Sequence, residues 1–94
     1  MYILVWTPYF TRAAKKFAKR HPELKKNIAC ILRDLEKDPF QSHLEYHNLG
    51  GKYKGLQAVS ITDNYRITMT IIITKKEIQL LDIGSHEEVY RKKK

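Results

Sequence analysis

Six side chains from position 47 onward are of the types that phosphodiester chemistry needs: His47, Lys52, Lys54, Arg66, His86 and Tyr90. Two imidazoles can exchange protons near neutral pH. A guanidinium stays charged and offers phosphate oxygens a planar fork of donors. These are the parts for cutting RNA without a metal. A base takes the 2′-hydroxyl proton, a cation holds the charge of the pentacovalent phosphate, and an acid protonates the leaving 5′-oxygen. On spacing alone, each histidine reads more simply as a surface residue.

Other chemistries find less support. His21, His43, His47 and His86 fall into no strong ligand pattern, and the four-residue spacing of His43 and His47 sits where no helical period runs. No phosphate-cradling Walker loop, dinucleotide fingerprint or G-x-S-x-G elbow occurs, so no cofactor is expected and any catalysis rests on side chains. Cys30 is the one cysteine, which excludes an internal disulfide, and its neighbours suggest a packing role.

The elements that must position these residues follow from periodicity. With 94 residues, 43% hydrophobic and 30% charged, the chain is predicted to be one small domain over residues 1–94, with 91–94 as a basic tail. Its 18 Lys+Arg against 10 Asp+Glu give a formal charge of +8, and the body stays positive without the tail, which favours an anionic partner. The opening "MYILVWTP" has no basic leader and too short an apolar run for a signal or a span, so a soluble cytoplasmic protein with no membrane partner is expected.

Residues 2–6 read as a strand. Thr7-Pro8 is a helix start, and Phe10, Ala13, Ala14, Phe17 and Ala18 form one apolar stripe opposite Arg12, Lys15, Lys16, Lys19 and Arg20. After His21-Pro22, a second stripe of Leu24, Ile28, Ile31, Leu32 and Leu35 predicts a helix ending at Asp38, and so an antiparallel helical hairpin. Periodicity lapses over 40–51. Residues 52–62, 65–74 and 77–83 then read as strands, with Asp63-Asn64 as the tight turn between the first two. The predicted fold is α+β in the order β-α-α-β-β-β, with an antiparallel sheet packed on the hairpin. The sheet face carrying Arg66, Thr68 and Thr70 should stay open.

The whole chain resembles the RelE/ParE superfamily of bacterial toxin–antitoxin toxins, in particular its RelE/StbE and YafQ-like mRNA interferases. The resemblance rests on an F-x-x-x-x-K-K-F first helix, "DPF" after the second helix, "HNLGGKYKG" at 47–55, "NYRI" at 64–67 and "LLDIGSHEEVY" at 80–90. It implies a RelE-like toxin that enters the 30S A site of the ribosome, cuts translated mRNA without a metal, and is silenced by a cognate antitoxin. No direct DNA binding by the toxin alone is implied. His86 falls where YafQ-like members place a catalytic histidine, and His47 on their histidine before the second strand. Arg66 falls on the arginine that meets the scissile phosphate, and Tyr90 on the terminal aromatic that stacks on or orients a nucleotide. Lys52 and Lys54 do not align cleanly with the RelE lysines and are assigned the same phosphate-holding role. Asp63 or Asn64 falls on a downstream YafQ-like aspartate. Ser60 departs from the pattern, standing where those proteins carry a further histidine. The same fold also serves ParE-like DNA gyrase inhibitors, and a catalytically silent module that binds an antitoxin or RNA is a third reading.

Overall fold

A computed structural model describes residues 1–85 of the chain. Strand β1 (Ile3–Trp6) leads into helix α1 (Pro8–Arg20). Helix α2 (Lys25–Lys37) follows after a single tight turn over Pro22–Leu24. A short strand β2 (His47–Asn48) precedes β3 (Gln57–Ser60), β4 (Tyr65–Ile72) and β5 (Glu77–Ser85). The five strands form one sheet in the order β1-β5-β4-β3-β2.

Thr7 starts α1 as its sequence position suggests. Its hydroxyl accepts from the Phe10 amide at 3.2 Å and donates to the Leu80 carbonyl at 2.7 Å. One side chain thus caps the helix and ties it to β5. No acid sits in the first turn of α1, whereas Lys19 and Arg20 lie in its last turn, where the helix dipole favours cations. The hairpin lays Phe10, Phe17, Ile31 and Leu35 on one face of the sheet, against Val59, Ile67, Met69, Ile78, Leu80 and Ile83. Beside this core, burial and, secondarily, the neighbouring Tyr2 push the Tyr46 phenol above its ordinary value.

The expected antiparallel meander is present as β3-β4-β5, but the sheet is mixed, because β1 pairs in parallel with β5. The helical hairpin carries the chain away from β1 and leaves that strand free to close the far edge of the meander. The ladder between β4 and β5 shifts register between Thr68 and Met69. Thr68 faces Asp82 and Met69 faces Leu80, so Leu81 has no partner. This bulge lets Leu80 and Ile83, an odd number of residues apart, share the core face while Asp82 takes the other.

Four expectations need correction. The strand expected over 52–62 begins only at Gln57, because residues 51–53 form a tight helical turn, with Gly51 (φ 60°) and Gly55 (φ 95°) in the left-handed region. The strand expected over 65–74 ends at Ile72 and passes into a turn over Ile73–Lys75. Cys30 does not pack in the core: it is exposed, and the Arg33 guanidinium donates to its sulfur at 3.4 Å. Thr68, expected on an open face, is fully buried, as is Asp82 opposite it.

Candidate functional site

The sheet has two unlike faces. The core face is taken up by the helices, and on the other the register aligns polar residues in rows. Ser60, Arg66 and Gly84 form one row. His47, Ala58, Thr68 and Asp82 form the next, crossing four strands. Adjacent rows on one face bring long side chains within reach of each other.

His47 and Arg66 meet in this way. The Arg66 Nη1 approaches His47 Nε2 at 3.5 Å, and His47 Nδ1 lies 3.0 Å from the Glu45 carbonyl oxygen. A carbonyl can only accept, so in the neutral ring Nδ1 carries the proton and Nε2 presents its lone pair to Arg66. The carbonyl belongs to a left-handed turn residue, Glu45 (φ 53°), an unusual conformation for glutamate that costs about 1–2 kcal/mol. The local backbone thus spends stability on orienting the imidazole.

Among the described residues, two polar atoms of the same face are buried without a hydrogen-bond partner, Nε of Arg66 and Oγ1 of Thr68. Such orphans are rare and mark places where a ligand atom or an ordered water completes the pairing. Asp82 accepts from the Ile83 amide at 2.8 Å through Oδ1. Neither Thr68 nor Asp82 was singled out from the sequence. The available signal was an acid inside the apolar run "LLDIG".

The remaining expected residues that are described lie in the loop and the turn at either end of β3. Lys52 and Lys54 are exposed on the loop joining β2 to β3, next to the Gln57 end of β3. Asp63 and Asn64 are exposed in the turn at the other end, beside the Ser60–Arg66 row, where the Asn64 amide donates to Thr62 Oγ1 at 3.3 Å. The structure brings His47 and Arg66 together and holds the lysines and the Asp63-Asn64 turn at opposite ends. His86 and Tyr90 lie outside the described residues. The described chain ends at Ser85, opposite Tyr65 and one residue beyond Gly84, the partner of Arg66.

The other described histidines point to different neighbours. His43 Nε2 pairs with Asp34 Oδ2 at 2.8 Å. His21 lies 3.4 Å from Glu23 and packs between the rings of Phe17 and Tyr65. Among the described residues, no three His, Cys, Asp or Glu side chains converge in a metal-holding group.

Comparison with known proteins agrees with this architecture. No family model matches the chain. It is 27% identical over its full length to "Putative toxin RelE4" of Methanocaldococcus jannaschii, spanning 96% of that protein. It superimposes with a TM-score of 0.79 on a metal-bound toxin from Helicobacter pylori, at 20% identity over 95% of this chain and 99% of that one. The Escherichia coli DinJ–YafQ complex matches with a TM-score of 0.70, at 16% identity over 96% of this chain and 99% of the matched chain. Two helices against a mixed five-stranded sheet is the RelE-like toxin fold. The likeness to the RelE/ParE superfamily, first visible in the 47–55 and 80–90 motifs, thus extends to the whole described backbone.

Proposed function

We propose that the chain is the toxin of a bacterial type II toxin–antitoxin system, and that it acts as a ribosome-dependent endoribonuclease on translated mRNA. The observation carrying this reading is the half-buried Arg66–His47 pair, with an unfilled Arg66 Nε beside it, on the sheet face turned away from the helices of a strongly basic protein.

The chemistry follows from the site. In the free protein Arg66 donates only a long contact to His47, near the limit of a hydrogen bond. A scissile phosphate is a far better acceptor, so it draws the guanidinium onto its oxygens, fills Nε, and frees the His47 lone pair. That imidazole, its Nδ1–H held by the Glu45 carbonyl, can take the 2′-hydroxyl proton. The 2′-oxygen attacks phosphorus, and Arg66 stabilises the added charge. His86, as the counterpart of His47, protonates the departing 5′-oxygen, leaving a cyclic phosphate and a free 5′-hydroxyl. The two imidazoles can also serve in the reverse roles. Tyr90 stacks on or orients a neighbouring nucleotide, and Lys52 and Lys54 hold flanking phosphates. Asp63 and Asn64 meet the substrate at the Arg66 end. The partners in this reading are the 30S A site, mRNA and a cognate antitoxin, as DinJ is found with YafQ. Among the described residues no helix is long and apolar enough to cross a membrane. In this reading the protein acts in the cytoplasm, where translating ribosomes are.

The test is induction in bacteria without antitoxin, with mRNA 5′ ends mapped on translating ribosomes for wild type, His86→Ala and Arg66→Ala. Cleavage by wild type alone supports the reading. Normal growth with abundant soluble wild-type protein and uncut mRNA would overturn it, and a DNA-damage response without cleavage would favour a gyrase inhibitor.

A further inference from the structure

The loop bearing Lys52 and Lys54 is held in an unusual way. Within its tip the backbone bonds are short-range, Tyr53 N to Gly50 O at 3.1 Å, Lys54 N to Gly51 O at 3.3 Å and Leu56 N to Tyr53 O at 3.0 Å, and Leu49 N to Leu56 O at 2.9 Å closes its base. A Cβ built at Gly50, Gly51 or Gly55 would meet nothing within 4 Å, so the glycines themselves are not packed, whereas Tyr53 and Leu56 are half-buried. Polar bonds from the sheet hold the Gly55 end. The Gly55 carbonyl accepts from Thr70 Oγ1 at 3.2 Å and from Gln57 Nε2 at 3.3 Å. Gln57 Nε2 also donates to Asn48 Oδ1 at 3.2 Å, and its Oε1 accepts from the Ile71 amide at 3.0 Å. Because an amide N–H can only donate, the Ile71 bond fixes which end of the Gln57 side chain is oxygen.

We propose that Gln57 and Thr70 are positioning residues: a clamp on Gly55 that sets Lys52 and Lys54 at a fixed distance from Arg66 so that they hold phosphates flanking the scissile one. This rests on the endoribonuclease reading above. Thr70 lies four residues beyond Arg66 on β4 and on the same face, about 13 Å away at roughly 3.3 Å per residue. That is about the rise of four stacked nucleotides. The lysines therefore serve binding along the strand, and the bond-breaking step is left to Arg66 and the imidazoles.

Two substitutions separate the clamp from the fold. Thr70→Val removes one bond to Gly55 at nearly constant volume. Gln57→Glu keeps an acceptor for Ile71 but cannot donate to Gly55 or Asn48. Thr70→Ser keeps the hydroxyl and serves as the rescue variant. On programmed ribosomes both disabling variants should raise KM about tenfold with kcat within about twofold, since uniform binding is lost. Binding of a short single-stranded RNA oligonucleotide should lose about 1.4 from its log–log salt slope, for two phosphates at about 0.7 each. The Lys54 and Leu56 amides should exchange hydrogen faster while the β3–β4 ladder stays protected, and Thr70→Ser should behave as wild type. Unchanged KM and salt slope would overturn the clamp, as would a fall in kcat alone or loss of protection throughout the sheet. If wild type itself does not cleave, the endoribonuclease reading falls, and the salt slope and exchange data still decide the clamp.

Discussion

Replacing Arg66 by methionine should make the protein more stable and nearly inactive at once. The guanidinium has a buried Nε without a partner and a single long contact to His47. Leaving a buried donor unsatisfied costs about 1–3 kcal/mol, whereas a contact at 3.5 Å returns only a fraction of the usual ~1 kcal/mol. Methionine keeps the unbranched apolar stem that packs on the sheet and removes the orphan. The net gain is about 1 kcal/mol, which for a domain of this size raises Tm by roughly 4–8 °C. Activity moves the other way. Loss of a preorganised donor to the transition-state phosphate costs about 10²–10³-fold in rate. Thermal unfolding followed by circular dichroism and single-turnover cleavage on programmed ribosomes, run on the same preparations, measure the two effects. A Tm that falls with activity would mean that Arg66 holds the sheet together, and the reasoning from its orphan donor would fail. Cleavage within about tenfold of wild type would remove Arg66 from the transition state.

Three further outcomes follow from other contacts. His47→Asn should cut cleavage by about 10²–10⁴-fold and abolish one limb of the pH–rate profile, whereas an unchanged profile would show that His47 moves no proton. Thr7→Val loses both the cap on the Phe10 amide and the bond to the Leu80 carbonyl, so it should cost about 1–2 kcal/mol and lower Tm by roughly 5–15 °C without changing kcat. The folded-state pKa of Tyr46 is raised, so its contribution is fully present below the ordinary tyrosine value of about 10 and fades as pH rises through the raised value. Tyr46→Phe should accordingly unfold less steeply in alkaline titration than wild type, and identical alkaline transitions would refute this.

The helices were legible in the sequence because their signals are local: Thr7-Pro8 for the start of α1, His21-Pro22 for the break, and Asp38 before Pro39 for the end of α2. The strand over 65–72 was legible because Ile67, Met69 and Ile71 keep a period of two. The tight turn at 51–53 was not, since Tyr53 and Leu56 resemble strand residues and only the left-handed angles of Gly51 and Gly55 break the strand. The parallel pairing of β1 with β5 was equally hidden, because sequence distance says nothing about which edge a first strand will close. Exposure of Cys30 escaped for another reason: one residue's phase on an amphipathic helix is easily misjudged at the border of the stripe. Within the candidate site, residue types and the family resemblance proposed His47 and Arg66, but it is the register that brings them together. The same register exposes the roles of Gln57 and Thr70, whose types are unremarkable and whose partners lie across strands.

Charge and geometry make separate contributions to the proposed activity. The formal charge of +8 acts at a distance and draws the protein to any polyanion, with an affinity that falls as salt rises. It cannot choose a bond to cut. Selection falls to a face on which the bulge places Asp82 opposite Thr68, the row beside them carries Arg66, and a left-handed Glu45 turns its carbonyl onto His47. None of these features adds to the core built by Phe10, Phe17, Leu35 and Met69, and the Arg66 and Thr68 orphans and the Glu45 backbone each cost stability. Added salt should therefore weaken binding of wild type and of Arg66→Met alike, with slopes differing by about one phosphate contact, or about 0.7. The cleavage rate of already-bound complexes should respond to Arg66 and little to salt. A bound-state rate that falls with salt as steeply as affinity does would mean that long-range charge, and not the Arg66–His47 geometry, carries the reaction.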